Sequence, residues 1–161
     1  MTFAFTVSAT IPATPKAIYD AWLDGKQHGL MNGGGQATGS TNVGGKFTAW
    51  DGYINGRNLE LVPRRKIVQS WRTTEFTDTD EDSQITVTLA KAARGTKVTL
   101  RHINVPDTHT TYKSGWVEYY FAPMKVYFAA QAAAAKVKAK AKPKVRSGAA
   151  KKTAKRTTKK R

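Results

Sequence analysis

Between Gly44 and Arg72 the chain turns back on itself. Paired glycines at Gly44 and Gly45 lead into a strand pattern from Lys46, the turn dipeptide Asn55-Gly56 follows, and a second strand returns from Lys66 through Trp71. A hairpin return joins antiparallel neighbours, because parallel strands need a crossover of a dozen or more residues. This block therefore builds an antiparallel sheet. Upstream, Phe3, Phe5, Val7, Ala9 and Ile11 alternate with Ala4, Thr6, Ser8 and Thr10, the period-two pattern of a strand with one buried face. Strands are predicted at Lys46 to Ile54, Lys66 to Thr74, Ser83 to Lys91 and Thr96 to Val105. The turns between them fall at Asn55-Gly56, at the acidic run Asp78 to Asp82 and at Arg94-Gly95.

Helical signals bracket the strands. Thr14 before Pro15 reads as an N-cap with proline at the first helical position, and Ile18 and Trp22, four apart, share one face of a short helix that Asp24-Gly25 ends. Gly25 to Gly45 carries eight glycines in twenty-one positions, which leaves room for no long regular element. A long amphipathic helix is predicted from about Tyr112 to Ala130, burying Trp116, Tyr120, Met124 and either Tyr127 or Phe128, with a kink at Pro123. The order is that of an α+β domain.

Charge divides the chain. Thirteen of its twenty-seven basic residues lie from Lys136 onward with no Asp or Glu among them, so the preceding body, with fourteen bases and eleven acids, carries only +3 of the net +16. These are Lys136, Lys138, Lys140, Lys142, Lys144, Arg146, Lys151, Lys152, Lys155, Arg156, Lys159, Lys160 and Arg161. An acid-free block of like charge reads as a disordered interaction arm, here resembling linker-histone and bacterial histone-like tails in composition. The reading is one folded domain over 1–131 and a basic tail over 132–161. Between Ala135 and Pro143 lysine alternates with Ala or Val, so an extended chain presents its lysines on one side about 6.6 Å apart. Nucleic-acid phosphates, about 3.4 Å apart along a strand, are matched by that spacing with one skipped. The expected partner is nucleic acid, bound without sequence preference.

Other chemistry is poorly supplied. The chain has no cysteine, which removes disulfides and thiolate metal sites. His28, His102 and His109 are far apart in sequence, and no paired metal-ligand spacing occurs. Gly45-Lys46 fails as a phosphate loop, since that pattern requires glycine where Ser40 stands and Ser or Thr where Phe47 stands. No cofactor is expected. No basic-then-apolar leader and no run of about 20 apolar residues is present, which points to the cytoplasm, or the nucleoid, and to no integral membrane association. His102 shares a strand face with Val98 and Leu100, which carries its ring inward.

The block beginning Gly44-Gly45-Lys46-Phe47-Thr48-Ala49-Trp50-Asp51-Gly52-Tyr53 and ending Gln69-Ser70-Trp71-Arg72, together with Gly115-Trp116-Val117-Glu118-Tyr119-Tyr120-Phe121-Ala122-Pro123-Met124, resembles the heat-shock protein 90 ATPase activator homologues. These are a branch of the START-like, helix-grip superfamily, and the resemblance covers Phe3 to Gln131. It allows a short strand near Ala37 to Asn42 and implies a curved antiparallel sheet wrapped around the long C-terminal helix, which leaves part of the concavity as an apolar cavity. The residues expected to line it are Phe47, Trp71, His102, Trp116, Tyr120 and Met124. A non-enzymatic domain is implied, with a small apolar ligand or a chaperone as partner; in the eukaryotic activators a further domain precedes this one, whereas here Met1 stands almost at the first strand. Two alternatives remain open: a cyclase- or hydratase-like enzyme pairing His102 with a cavity tyrosine, and a nucleoid-associated protein with a passive folded cap.

Overall fold

The computed structural model describes residues 1–141. Strand β1 (Thr2–Ile11) is followed by helices α1 (Pro15–Leu23) and α2 (Gly25–Met31), then by strands β2 (Lys46–Ala49), β3 (Ile54–Val62), β4 (Lys66–Thr73), β5 (Ser83–Ala92) and β6 (Gly95–Pro106). A continuous helical run closes the domain: α3 (Tyr112–Gly115), a π-helical turn (Trp116–Phe121) and α4 (Ala122–Ala141). The sheet is six-stranded and antiparallel in the order β1-β6-β5-β4-β3-β2. This is the predicted α+β helix-grip. One register level crosses five strands as Asn58, Gln69, Ile85, His102 and Phe5, all buried. Against this face the last helices bury Trp116, Tyr120, Phe121, Met124 and Phe128. Each large apolar side chain removed from water contributes roughly 1.5 to 3 kcal/mol; of the two alternatives at the helix end, Phe128 is buried and Tyr127 half-buried.

The predicted cap of α1 forms: the Thr14 hydroxyl accepts from the Ala17 amide at 3.1 Å. Asp24 does not end the helical region. It ends α1 and at once caps α2, its carboxylate accepting from the Gln27 amide at 2.9 Å. Helix α2 was unexpected among so many glycines, but these glycines allow close packing. A Cβ on Gly29 would lie 2.3 Å from the Gly35 carbonyl oxygen, and one on Gly25 2.8 Å from that of Ala37. The strand expected near Ala37 to Asn42 is reduced to one bridge between Thr38 and Thr48.

The hairpin turn lies earlier than Asn55-Gly56. Asp51 (φ 56°) and Gly52 (φ 88°) occupy its centre, closed by the Tyr53 amide donating to the Trp50 carbonyl at 3.0 Å. Positive φ at both central residues is the hairpin-favoured turn for which Asp-Gly is as well suited as Asn-Gly. Asn55-Gly56 instead lies inside β3, a strand the sequence reading missed beyond Ile54. Gly56 is needed there because a Cβ would stand 1.9 Å from the Ser70 carbonyl oxygen.

The helical run also extends beyond the expected Ala130. It continues to Ala141, so Lys136, Lys138 and Lys140 stand on a helix rather than on an extended chain. Alanine, the strongest helix former, dominates the stretch and outweighs the alternation. The other ten tail cations, from Lys142 to Arg161, lie outside the described residues.

Gly95 offers a direct check on the sheet's closure. Its φ is 143°, and a Cβ would meet the Ile11 carbonyl oxygen at 2.0 Å. Gly95→Ala should destabilise the domain by more than about 1 kcal/mol, read as a lower urea midpoint with an unchanged slope.

Candidate functional site

A cleft of about 710 Å³ opens where the β2–β3 turn, the end of β4 and the start of the helical run meet. Trp71 and Ile54 of the sheet line it together with Trp50 and Tyr53 of the turn, and the helical side supplies Tyr112, Trp116, Tyr119 and Tyr120. Glu75 and Glu118 add carboxylates, and Thr111 and Ser114 add hydroxyls. The rings pack edge-to-face or tilted: Trp71 on Tyr112 at 5.2 Å, Trp71 on Trp116 at 5.6 Å, Trp116 on Tyr120 at 4.4 Å, and Trp50 on Tyr119 at 6.3 Å. A second hollow of about 390 Å³ lies against the glycine-rich loop. Much of its wall is glycine, and it has none of this aromatic surface.

Local backbone features aim these side chains. Trp50 has φ 53°, a conformation unusual for a bulky residue and costly by roughly 1 to 3 kcal/mol. Gln36 and Asp51 hold it there. The Gln36 amide donates to the Asp51 carboxylate at 2.8 Å, and the Asp51 amide donates to the Gln36 carbonyl at 3.0 Å. On the other wall, the π turn supplies Trp116, Glu118, Tyr119 and Tyr120. Such turns frequently accompany functional sites. Glu75 accepts from the Tyr53 hydroxyl at 2.7 Å and from the Tyr112 hydroxyl at 3.4 Å, and burial is the main cause that pushes both phenols upward in pKa.

Behind the cleft the buried polar groups are wired in defined directions. The Trp116 indole donates to His102 Nδ1 at 3.1 Å. Because an indole only donates, Nδ1 is the bare nitrogen, and Nε2–H faces Ser83 Oγ at 2.8 Å. Ser83 passes the direction on by donating to the Trp71 carbonyl at 2.6 Å. Burial drives the His102 pKa down to about 3. His28 has the opposite tautomer: Nδ1–H donates to the Trp22 carbonyl at 2.8 Å, and Nε2 accepts from the Tyr120 hydroxyl at 3.3 Å. Its pKa falls to about 4, chiefly through burial, with the bond to Trp22 opposing the shift. Asn32, at the end of α2, is also buried, and neither of its amide atoms makes a hydrogen bond among the described residues.

Of the six residues expected to line a cavity, the structure brings Trp71, Trp116 and Tyr120 to the cleft. Phe47, His102 and Met124 are buried in the core instead. His102 faces inward as period two requires, yet both ring nitrogens are engaged and neither is free for a ligand. Trp50, Tyr53, Tyr112, Tyr119, Glu75 and Glu118 were not anticipated as lining residues. The sequence signal for the first two was the Asp51-Gly52 turn that separates them. Among the described residues no three His, Cys, Asp or Glu side chains cluster as metal ligands, and no helix is long and apolar enough to cross a membrane.

Residues 12–129 match the family model described as Activator of Hsp90 ATPase homolog 1-like protein. The chain belongs to that family. It is 34% identical over 96 residues to the Activator of 90 kDa heat shock protein ATPase homolog 1 of Homo sapiens, a match covering 57% of this chain and 27% of the human protein. The activator-homologue domain thus spans about a quarter of that relative's length. Among solved structures, an HSP90 activator from Plasmodium falciparum superposes with a TM-score of 0.70 at 24% identity, covering 78% of this chain and 96% of that one. The AHSA1-like protein from Aeromonas hydrophila gives 0.63 at 19% identity, with 81% and 94% covered. Likeness at these identities establishes the shared fold.

The two buried histidines make stability depend on pH. Each has a folded pKa below its ordinary 6.5, so the unfolded chain binds protons more tightly. Their contribution is fully present above about pH 7 and is lost as pH falls through 6.5 toward 4 and 3, at about 1.4 kcal/mol per pH unit for each histidine. Calorimetry at about pH 5 should find that His28→Gln takes up about one proton fewer on unfolding than the parent chain.

Proposed function

We propose that this activator-homologue domain is a binding module that takes a small, largely apolar ligand in the aromatic cleft. The cleft itself carries the reading, since its size and its mixture of ring surface with a few hydroxyls and carboxylates are those of a small-molecule site. A cyclase- or hydratase-like reaction would need an acid–base group free to meet its substrate. His102, the residue offered for that role, has both nitrogens committed to Trp116 and Ser83, which favours binding over catalysis by that pair.

A chaperone partner is the second reading, and the family match favours it. This contact would use the outer surface of the domain and would not compete with a ligand held in the cleft. The basic tail is a separate element, for which we propose sequence-independent binding of nucleic acid and, through it, nucleoid association. Flexible lysines meet phosphates rather than base edges. The charge block supports this reading, and Lys136, Lys138 and Lys140 are its three cations within α4.

Gly115 provides a test of the cleft. It lies on the cleft wall, and a Cβ there would meet only Tyr119 Cδ2, at 3.9 Å. Gly115→Leu should leave stability within about 1 kcal/mol while filling the site, since Gly is itself a poor helix former. Apolar aromatic ligands should raise the melting temperature of the parent chain, by the equivalent of about 2.7 kcal/mol at a hundredfold excess over Kd, and should leave that of the variant unchanged. Equal shifts in both chains would reject the cleft. For the tail, affinity for duplex DNA should fall by roughly 10³ to 10⁵ between about 50 and 200 mM salt if six to ten charges engage. Removing residues 136–161 should abolish binding in a mobility-shift titration.

A further inference from the structure

We infer that the cleft selects ligands that join an aromatic or apolar body to a cationic, amine-bearing end. This rests on the reading of the cleft as a ligand site and specifies its chemistry. The argument begins with a charge reversal. The chain carries twenty-seven Lys and Arg against eleven Asp and Glu, yet the residues lining the cleft include Glu75 and Glu118 and no Lys, Arg or His. Neither glutamate pairs with a lysine or arginine among the described residues. The basic side chain nearest Glu75 is that of His109, whose Nδ1 lies 3.9 Å from Oε2.

Glu75 is also held in place. Tyr53 and Tyr112 donate to its Oε2, while a carboxylate has about four acceptor sites, so Oε1 remains available to an incoming N–H. Glu118 belongs to the π turn, between Trp116 and the Tyr119-Tyr120 pair. The two carboxylates thus reach the cleft from different elements. The same cleft is lined by the rings of Trp50, Trp71, Tyr112, Trp116 and Tyr119, and aromatic faces attract cations. An ammonium group would find carboxylate and ring surface together, whereas a carboxylate ligand would meet like charge with no lysine or arginine on the cleft wall to offset it.

The test compares three probes that share one body: phenylbutylamine, phenylbutanol and phenylbutyrate. Each is titrated into the full-length protein at about 0.15 M salt, where charge attraction beyond about 8 Å is screened. Tryptophan emission is the readout. Trp50, Trp71 and Trp116 line the cleft and residues 136–161 contain no tryptophan, so probe bound by the tail does not register. The amine should bind at least about tenfold tighter than the alcohol, and the acid more weakly than both. Glu118→Gln should reduce the amine's advantage over the alcohol severalfold, and Glu75→Gln with Glu118→Gln should abolish it, each variant losing far more affinity for the amine than for the alcohol. If the alcohol or acid binds the parent chain as tightly as the amine, or if the amine's preference survives the double replacement, cation selection is overturned while the ligand cleft stands. If none of the three binds at millimolar concentration, both readings fall.

Discussion

An indole nitrogen donates one hydrogen bond and accepts none, and two indoles use that restriction to fix how the helices sit on the sheet. Trp116 points its N–H at His102, which must then turn its own proton toward Ser83, whose hydroxyl reaches the Trp71 carbonyl. Trp22 of α1 donates to Gln69 at 3.1 Å, Gln69 donates to Asn58 at 2.8 Å, and the Asn58 amide holds the Ser40 and Asn42 carbonyls of the glycine-rich loop. Each chain of bonds begins on a helix and enters the sheet; the second continues into the loop. Buried polar groups left unpaired cost about 1 to 3 kcal/mol each. A helix displaced by one residue would leave several unpaired at once, so the polar interior fixes a register that apolar contact alone would leave looser.

The last helix carries this register past a proline. Pro123 has no N–H, so the Tyr119 carbonyl loses its α-helical donor. The chain responds just before it with the π turn, in which the Ala122 amide reaches back five residues to the Val117 carbonyl. That wider turn brings Trp116 and Tyr120 within 4.4 Å of one another while Glu118 and Tyr119 still reach the cleft. Pro123 marked in sequence that the helix is irregular here, but periodicity at 3.6 residues per turn could not reveal that the irregularity takes the form of a π turn.

Elements whose sequence signal matches their physical cause were legible. The first strand, the Thr14-Pro15 cap, the last three strands and the inward face of His102 all follow from periodicity or capping. What escaped depends on contacts between distant segments. Gly25 and Gly29 read as helix breakers, yet they allow α2 to approach the loop at Gly35 and Ala37. Asn55-Gly56 and Asp51-Gly52 are equivalent as turn formers, and the pairing of Asp51 with Gln36 and the approach of Gly56 to Ser70 distinguish them only in three dimensions. The cleft was half legible for a related reason. Trp71, Trp116 and Tyr120 belong to regular elements with a predictable buried face, whereas Trp50 and Tyr53 depend on a turn and Tyr119 projects from the exposed side of a helix.

Helix α4 does not stop where its support does. Phe128 is its last buried residue, and 129–141 are exposed throughout, a projection of about 20 Å at 1.5 Å per residue. Nothing among the described residues packs against that length, so its order comes from alanine propensity and obeys helix–coil statistics rather than the cooperative transition of the core. The domain therefore ends in a segment with its own melting curve. Warming shortens it gradually while the sheet remains intact, so the length of helix standing clear of the domain is set by temperature rather than by packing.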